Sequence, residues 1–245
     1  LKNNSIGGPY LMDKNTVALL HFDNDLQNRS NQTLVPDGDT KNIGYDASLP
    51  PDLGNCLATT APVMIPASAA LNLTGDWTME AWVKFTSFAS DYMYLFYKPG
   101  DSDPYQSNYS LAINPWWGNV FFGFYFAAPN NRIGITSISP DLNKWYHVAF
   151  IRDTKQLTLT IVVHDSDRKL IGTVSMPYTG TAMLTNVQNL QIGTGLLGYI
   201  DEVRISNVVR SFINTGTDET ASIKKLSVYP NPGSVQISVT VPEGV

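Results

Sequence analysis

Residues 79–85 alternate without a break. Met79, Ala81, Val83 and Phe85 fall on one face of an extended strand, and Glu80, Trp82 and Lys84 on the other. Short strand-like segments of this kind recur at 16–22, 92–98, 109–113, 120–126, 145–152, 156–164, 170–176 and 190–193. In 156–164, Leu157, Leu159, Ile161 and Val163 are expected to form the core face. No long amphipathic helical pattern interrupts the series. Many short strands with polar turns and no alternating helices predict an all-β fold, an antiparallel sandwich of two sheets.

The last strand-like segment, Gly198-Tyr199-Ile200-Asp201-Glu202-Val203-Arg204-Ile205, breaks the period. Ile200 and Val203 are three apart and share a face only if a bulge falls near Asp201 and Glu202. An acid held there needs a partner, because an unpaired charge beside a core is costly. That partner is an arginine, backbone N–H groups or a metal ion.

Composition narrows the function classes. The 245 residues are 43% hydrophobic and 15% charged, which supports one large sandwich or two modest domains. A core of that size needs no disulfide or zinc. The single Cys56 cannot form an internal disulfide and is expected as a small buried apolar residue. Net charge is −5, with no basic stripe, which argues against nucleic acid. No apolar run approaches the roughly 18 residues of a membrane helix. The chain starts at Leu1 without an initiator Met, as a processed or excised fragment would.

Along the chain, residues 1–15 read as a leading linker and 16–213 as the sandwich. Residues 23–55 form a long Asn/Asp/Gly/Pro/Ser-rich loop; loops of that length are usually functional or pinned down. Residues 214–224 read as a polar linker. Residues 225–245 carry Val228-Tyr229-Pro230-Asn231-Pro232 and then alternate Val235, Ile237, Val239 and Val241. One strand and a turn cannot make a domain, so this tail is expected to add to a sheet edge of its own sandwich or of a neighbour.

Four segments, in order, carry a resemblance. Thr16-Val17-Ala18-Leu19-Leu20-His21-Phe22-Asp23 is similar to the opening strand of laminin-G-like, concanavalin-A-like jelly-roll domains. The run from Leu71 through Trp77 and Glu80 to Val83 resembles their second signature, Trp145-Tyr146-His147-Val148-Ala149 the third, and Gly198–Ile205 the fourth. The resemblance covers roughly residues 14–213. It implies a concave sheet, extracellular recognition, often of glycans, and a structural calcium between the first-strand loop and the last strand. Its matching positions are Asp23 or its neighbour Asp25, and Asp201. Leu226–Pro232 and Val239–Glu243 resemble the start of the C-terminal sorting domains of the type IX secretion system, which implies a secreted or cell-surface protein of a Gram-negative bacterium.

The residues supply matching chemistry. A hard cation wants six to eight oxygens, and Asp23-Asn24-Asp25-Leu26-Gln27-Asn28 offers carboxylates and amides, though it lacks the helix–loop–helix calcium pattern. Glu202 is expected as an ordinary surface or ion-pair residue. Sugar rings stack their C–H faces on exposed aromatics. In Asn114-Pro115-Trp116-Trp117-Gly118-Asn119 two adjacent Trp cannot easily enter one core, so Trp116, Trp117 and Tyr105, with Tyr109 and Asn114, are the candidate sugar contacts. Trp77, Trp82 and Trp145 are expected in the core. Catalysis is not expected: a glycosidase needs two carboxyls roughly 5–9 Å apart, and no second acid lies on the face of Glu80. His21, His147 and His164 have no zinc or triad spacing.

Together these features predict a non-catalytic, carbohydrate-binding accessory domain with a structural calcium. One alternative is a protein-binding, adhesion or spacer module using an edge strand. A hydrolase or lyase would instead need two convergent carboxylates, or a Tyr/His/Arg cluster, on the concave sheet.

Overall fold

The computed structural model describes residues 6–100, 109–114, 121–126, 132–135, 138–178 and 185–212. The chain divides into two units, Leu1–Phe212 and Ile213–Val245. The second unit, with the expected sheet-edge strand of the tail, lies outside the described residues.

The first unit is built from β1 (Thr16–Leu20), β2 (Ile43–Gly44), β3 (Cys56–Ala58), β4 (Val63–Ile65), β5 (Trp77–Phe85), β6 (Met93–Lys98) and β7 (Tyr109–Asn114). It continues with β8 (Phe121–Phe126), β9 (Arg132–Ile135), β10 (Trp145–Asp153), β11 (Thr158–His164), β12 (Leu170–Pro177), β13 (Leu190–Ile192) and β14 (Gly198–Ser206). One sheet has eight strands in the order β12-β11-β10-β5-β14-β3-β2, with β1 also paired to β14. The other has six, in the order β4-β13-β6-β7-β8-β9. The pairings are antiparallel, as the turn-rich pattern predicts.

The main core lies between the sheets. Met79, Ala81, Val83 and Phe85 of β5 enter it, as do Leu159, Ile161 and Val163 of β11. Leu157 does not: it precedes β11 in a turn, with φ 52° and 45% exposure. The structure also contains β2, β3, β4 and β9, of two to four residues each, too short to stand out in the sequence.

The opposite face of β5 is buried as well. Trp82 packs with Leu49, Leu53, Cys56 and Trp145 in a second cluster beneath the 45–55 loop. Lys84 is paired to Asp46 of that loop and lies 4.7 Å from the Tyr199 ring. The long loop is therefore pinned, and Cys56 is buried, with its thiol pushed up to about 12 chiefly by that burial. Residues 1–15 are not simply a linker. From Ile6 they form a strap across the same face: Tyr10 is buried, and the Trp82 indole donates to the Gly7 carbonyl at 2.5 Å. Gly7 has φ 70°, and a Cβ there would overlap the Trp82 indole, so only glycine lets the strap lie this close.

Candidate functional site

β14 changes neighbours midway. One edge pairs with β5; the other pairs with β3 at Tyr199 and Ile200, then with β1 from Val203 onward. Asp201 and Glu202 sit at this seam. The register against β5 shifts between Asp201 and Arg204, and Glu202 has φ 46°. This is the expected bulge: it returns both Ile200 and Val203 to the core and turns both acids away from it.

The two acids are fully buried and differ in what they meet. Glu202 Oε1 lies 2.6 Å from His21 Nδ1, and Oε2 accepts from the Tyr10 amide at 2.9 Å. It is ion-paired, as expected, but it is not a surface residue. Burial raises its pKa, against the pull of His21. Burial opposes charge on His21 too, yet its bond to Glu202 leaves its pKa raised. Among the described residues, neither oxygen of Asp201 has a hydrogen-bond partner. Burial, then the charges of Glu202 and Asp23, hold its carboxyl well above the usual range, and the nearby Glu202 amide offsets this only in part.

Of the other two predicted ligands, Asp23 acts on both acids through its charge. Asp23 Oδ1 accepts from the Asn55 amide at 2.9 Å, beside Gly54, whose φ of 82° and missing side chain make room for it. Asp25 is committed to the Gln27 amide at 2.9 Å and to Arg29 at 2.8 Å. Among the described residues no three His, Cys, Asp or Glu side chains form a metal cage. A hard cation at Asp201 would meet its two unpartnered oxygens and would need most of its six to eight ligands from carbonyl, amide or water oxygens.

The aromatic candidates divide differently. Trp116, Trp117 and Tyr105 lie outside the described residues, and Asn114 is described only as the last position of β7. Tyr109 is fully buried, with its ring 6.0 Å from Trp77, so it is a core residue and not a sugar contact. Its inward position follows from the alternation of β7, whose Tyr109, Leu111 and Ile113 share the core face.

The structure reveals a different aromatic row. β6 is bulged at Leu95, because Tyr94 pairs with Ala112 and Phe96 with Leu111. Met93, Leu95 and Phe96 enter the core, while Tyr94 and Tyr97 share the outer face of the six-stranded sheet, half-buried. Tyr92 extends the row: its ring is stacked 5.7 Å from Tyr94, which is stacked 4.5 Å from Tyr97. Gln191 sits opposite Tyr97 in the ladder and so shares its face. The sequence signal was the adjacent Leu95-Phe96 pair, which breaks the period of two.

A Tyr/His/Arg cluster around Glu80 does exist, but under the strap on the outer face of the eight-stranded sheet. Arg204 reaches Glu80 Oε1 at 2.6 Å, His147 Nε2 reaches Oε2 at 3.1 Å, and the Tyr10 hydroxyl donates to Oε2 at 2.5 Å. Burial opposes ionisation, yet Arg204 and then His147 hold Glu80 down to about 2. Glu80, His147 and Trp82 are 0% exposed, which leaves no access for a substrate.

A search of curated proteins gives no match. Among solved structures, domain 4 of AbnA, a GH43 extracellular arabinanase from Geobacillus stearothermophilus solved with arabinotriose, superposes with a TM-score of 0.56 at 17% identity, covering 81% of this chain and 95% of that one. A Trypanosoma rangeli sialidase in complex with 2,3-difluorosialic acid gives 0.51 at 14% identity, covering 81% of this chain but 30% of the sialidase. At such identities the likeness establishes the fold alone. Residues 57–212 match the family model for the concanavalin A-like lectin/glucanases superfamily. With that match and this two-sheet topology, the chain belongs to the concanavalin A-like lectin/glucanase superfamily.

Proposed function

We propose that this domain is a non-catalytic glycan-binding module whose binding surface is the outer face of the six-stranded sheet. The observation that carries this is the row Tyr92, Tyr94 and Tyr97, pre-arranged by mutual stacking on a sheet face. Rigid aromatic rings give contact area at low entropic cost, and a sugar offers C–H faces to the rings and hydroxyls to groups such as Gln191. Trp116, Trp117 and Tyr105, outside the described residues, are kept as candidate contacts on the strength of their residue types alone. Two further facts support binding without catalysis. The six strands of this sheet contain no Asp or Glu, and a glycosidase of the usual kind needs two. The arabinanase domain with the same fold was solved with an oligosaccharide.

Tyr94→Ala is expected to lower affinity for the bound polysaccharide roughly five- to thirtyfold, the loss of about 1–2 kcal/mol of ring contact. Affinity electrophoresis or calorimetry against arabinans, sialylated glycans and plant and bacterial polysaccharides tests this. No binding to any of them removes the glycan reading and favours a protein-binding module. Binding that survives Tyr94→Ala unchanged moves the site off this row.

The module is also proposed to carry a structural calcium on Asp201 and Asp23. Bound there, the ion would supply the positive charge that Asp201 lacks and tie the β14 seam to the loop after β1. At a calcium concentration about a hundredfold above its Kd, wild type should gain ~2.7 kcal/mol, roughly 5–10 °C in melting temperature. Asp201→Asn should lose that gain while melting no lower than wild type in chelator. An equal calcium response in both proteins would exclude Asp201 as a ligand. We place the protein outside the cell, from the tail's resemblance to sorting domains; fractionation that finds it in the cytoplasm would overturn that placement.

A further inference from the structure

The N-terminal strap and the last described residue, Phe212, both end on the outer face of the eight-stranded sheet, and a single buried chain of polar groups joins them. Tyr10 donates its hydroxyl proton to Glu80 at 2.5 Å and lies 3.0 Å from His147 Nε2. His147 Nδ1 lies 3.2 Å from His164 Nδ1, and His164 Nε2 lies 3.2 Å from the carbonyl of Phe212. The Phe212 ring is buried against Ala149, Ile151 and Val162.

Donor counting sets the direction of the bonds from Phe212 to His147. A carbonyl only accepts, so His164 carries its proton on Nε2. Burial, then the charge of His147, holds the pKa of His164 at about 4, so it is neutral at pH 7 and its Nδ1 accepts. His147 Nδ1 must then donate, while its Nε2 faces both the Glu80 carboxylate and the Tyr10 hydroxyl. No link can reverse without changing its neighbours, and in a buried network each bond polarises the next.

We propose that this relay couples the docking of the two flanking segments, so that release of the strap loosens the segment ending at Phe212, and the reverse. Within the described residues, both segments lie on the face of the sandwich opposite the tyrosine row. The coupling would therefore pass from one flank to the other without disturbing the binding face. Thermodynamic coupling of this sort is reciprocal.

Hydrogen–deuterium exchange on the intact chain tests it. Tyr10→Phe removes only the hydroxyl; it should speed exchange at residues 207–212, as well as in the strap, on the order of five- to tenfold. Phe212→Ala should speed exchange in residues 6–13. Arg168→Gln is the control, because Arg168 holds the strap through the carbonyls of Ile6 at 2.9 Å and Gly8 at 3.2 Å, away from the relay. It should loosen the start of the strap and leave 207–212 protected. Loosening confined to each variant's own segment, equal loosening of 207–212 by Arg168→Gln, or no change in either segment would overturn the proposal.

Discussion

Glu80→Ala should cost about 3–5 kcal/mol, because it leaves Arg204 buried without its counter-charge and His147 without its carboxylate partner. At roughly 2–4 °C per kcal/mol for a domain of this size, thermal denaturation should show a fall of about 6–20 °C. Arg204 cannot turn to water: it is 2% exposed, one of its guanidinium nitrogens already lacks a partner, and its plane lies 3.6 Å from the Tyr10 ring centre. A loss under about 1 kcal/mol would mean that the cluster is solvated and the strap is not closed. The pH dependence follows from the same groups. Glu80 falls from 4.5 to about 2 on folding, so its stabilisation is complete above pH 4.5 and is lost as pH falls toward 2. His164 falls from 6.5 to about 4, so the unfolded chain takes up its proton first and stability also drops as pH falls from 6.5 to 4. Between pH 4.5 and 2 wild type should therefore lose stability more steeply than Glu80→Ala, in which only the other lowered carboxyls, Asp13 and Asp46 chief among them, still contribute. Asp201 has the opposite sign. Its folded pKa lies well above 3.8, so without a cation it withholds stability as pH rises past that value.

Gly198→Ala should cost roughly 3 kcal/mol or more, at the upper end of overpacking effects. A Cβ at Gly198 would overlap the main-chain carbonyl oxygen of Lys84, with Phe85 Cα 3.0 Å away. Gly198 pairs with Phe85 at the start of β14, so neither backbone can move without parting β14 from β5. Gly44→Ala and Gly75→Ala are the matched controls, since a Cβ at either meets nothing within 4 Å; both should stay within about 0.5 kcal/mol of wild type. Denaturant unfolding of the three variants measures the contrast. A Gly198→Ala variant as stable as its controls would show that the close approach of these strands is not required.

The two bulges show what can be read from a sequence of this kind. At β14 the spacing of Ile200 and Val203 announced a bulge, because a period of two cannot place both in one core, and the bulge is there. The same cue is present at Leu95-Phe96, but an uninterrupted aromatic segment resembles a strand buried on both faces, which conceals it. The tyrosine row was hidden with it. Tyr109 was misjudged for a related reason: its nearness in sequence to Tyr105 and Asn114 suggested a shared role, but alternation along β7 sends its ring inward. Glu202 was expected at the surface or in an ion pair, because charged residues rarely lie buried unless paired, and it is the buried, paired case that holds. Its partners, His21 and the Tyr10 amide, lie 181 and 192 residues away.

The sequence by itself determined the fold class, the strands β1, β5–β8 and β10–β14, and the inward face of β5. Each of these depends on local periodicity and turn chemistry, which neighbouring residues carry between them. Tertiary structure alone decided that the outer face of β5 is also sealed, that a supposed linker is a strap, and that Asp201 is orphaned while Glu202 is satisfied. These depend on which distant segment covers a face and which strand pairs with which edge. At the β14 seam, the handover from β3 to β1 leaves two adjacent carboxylates in different surroundings, a difference that no local pattern encodes.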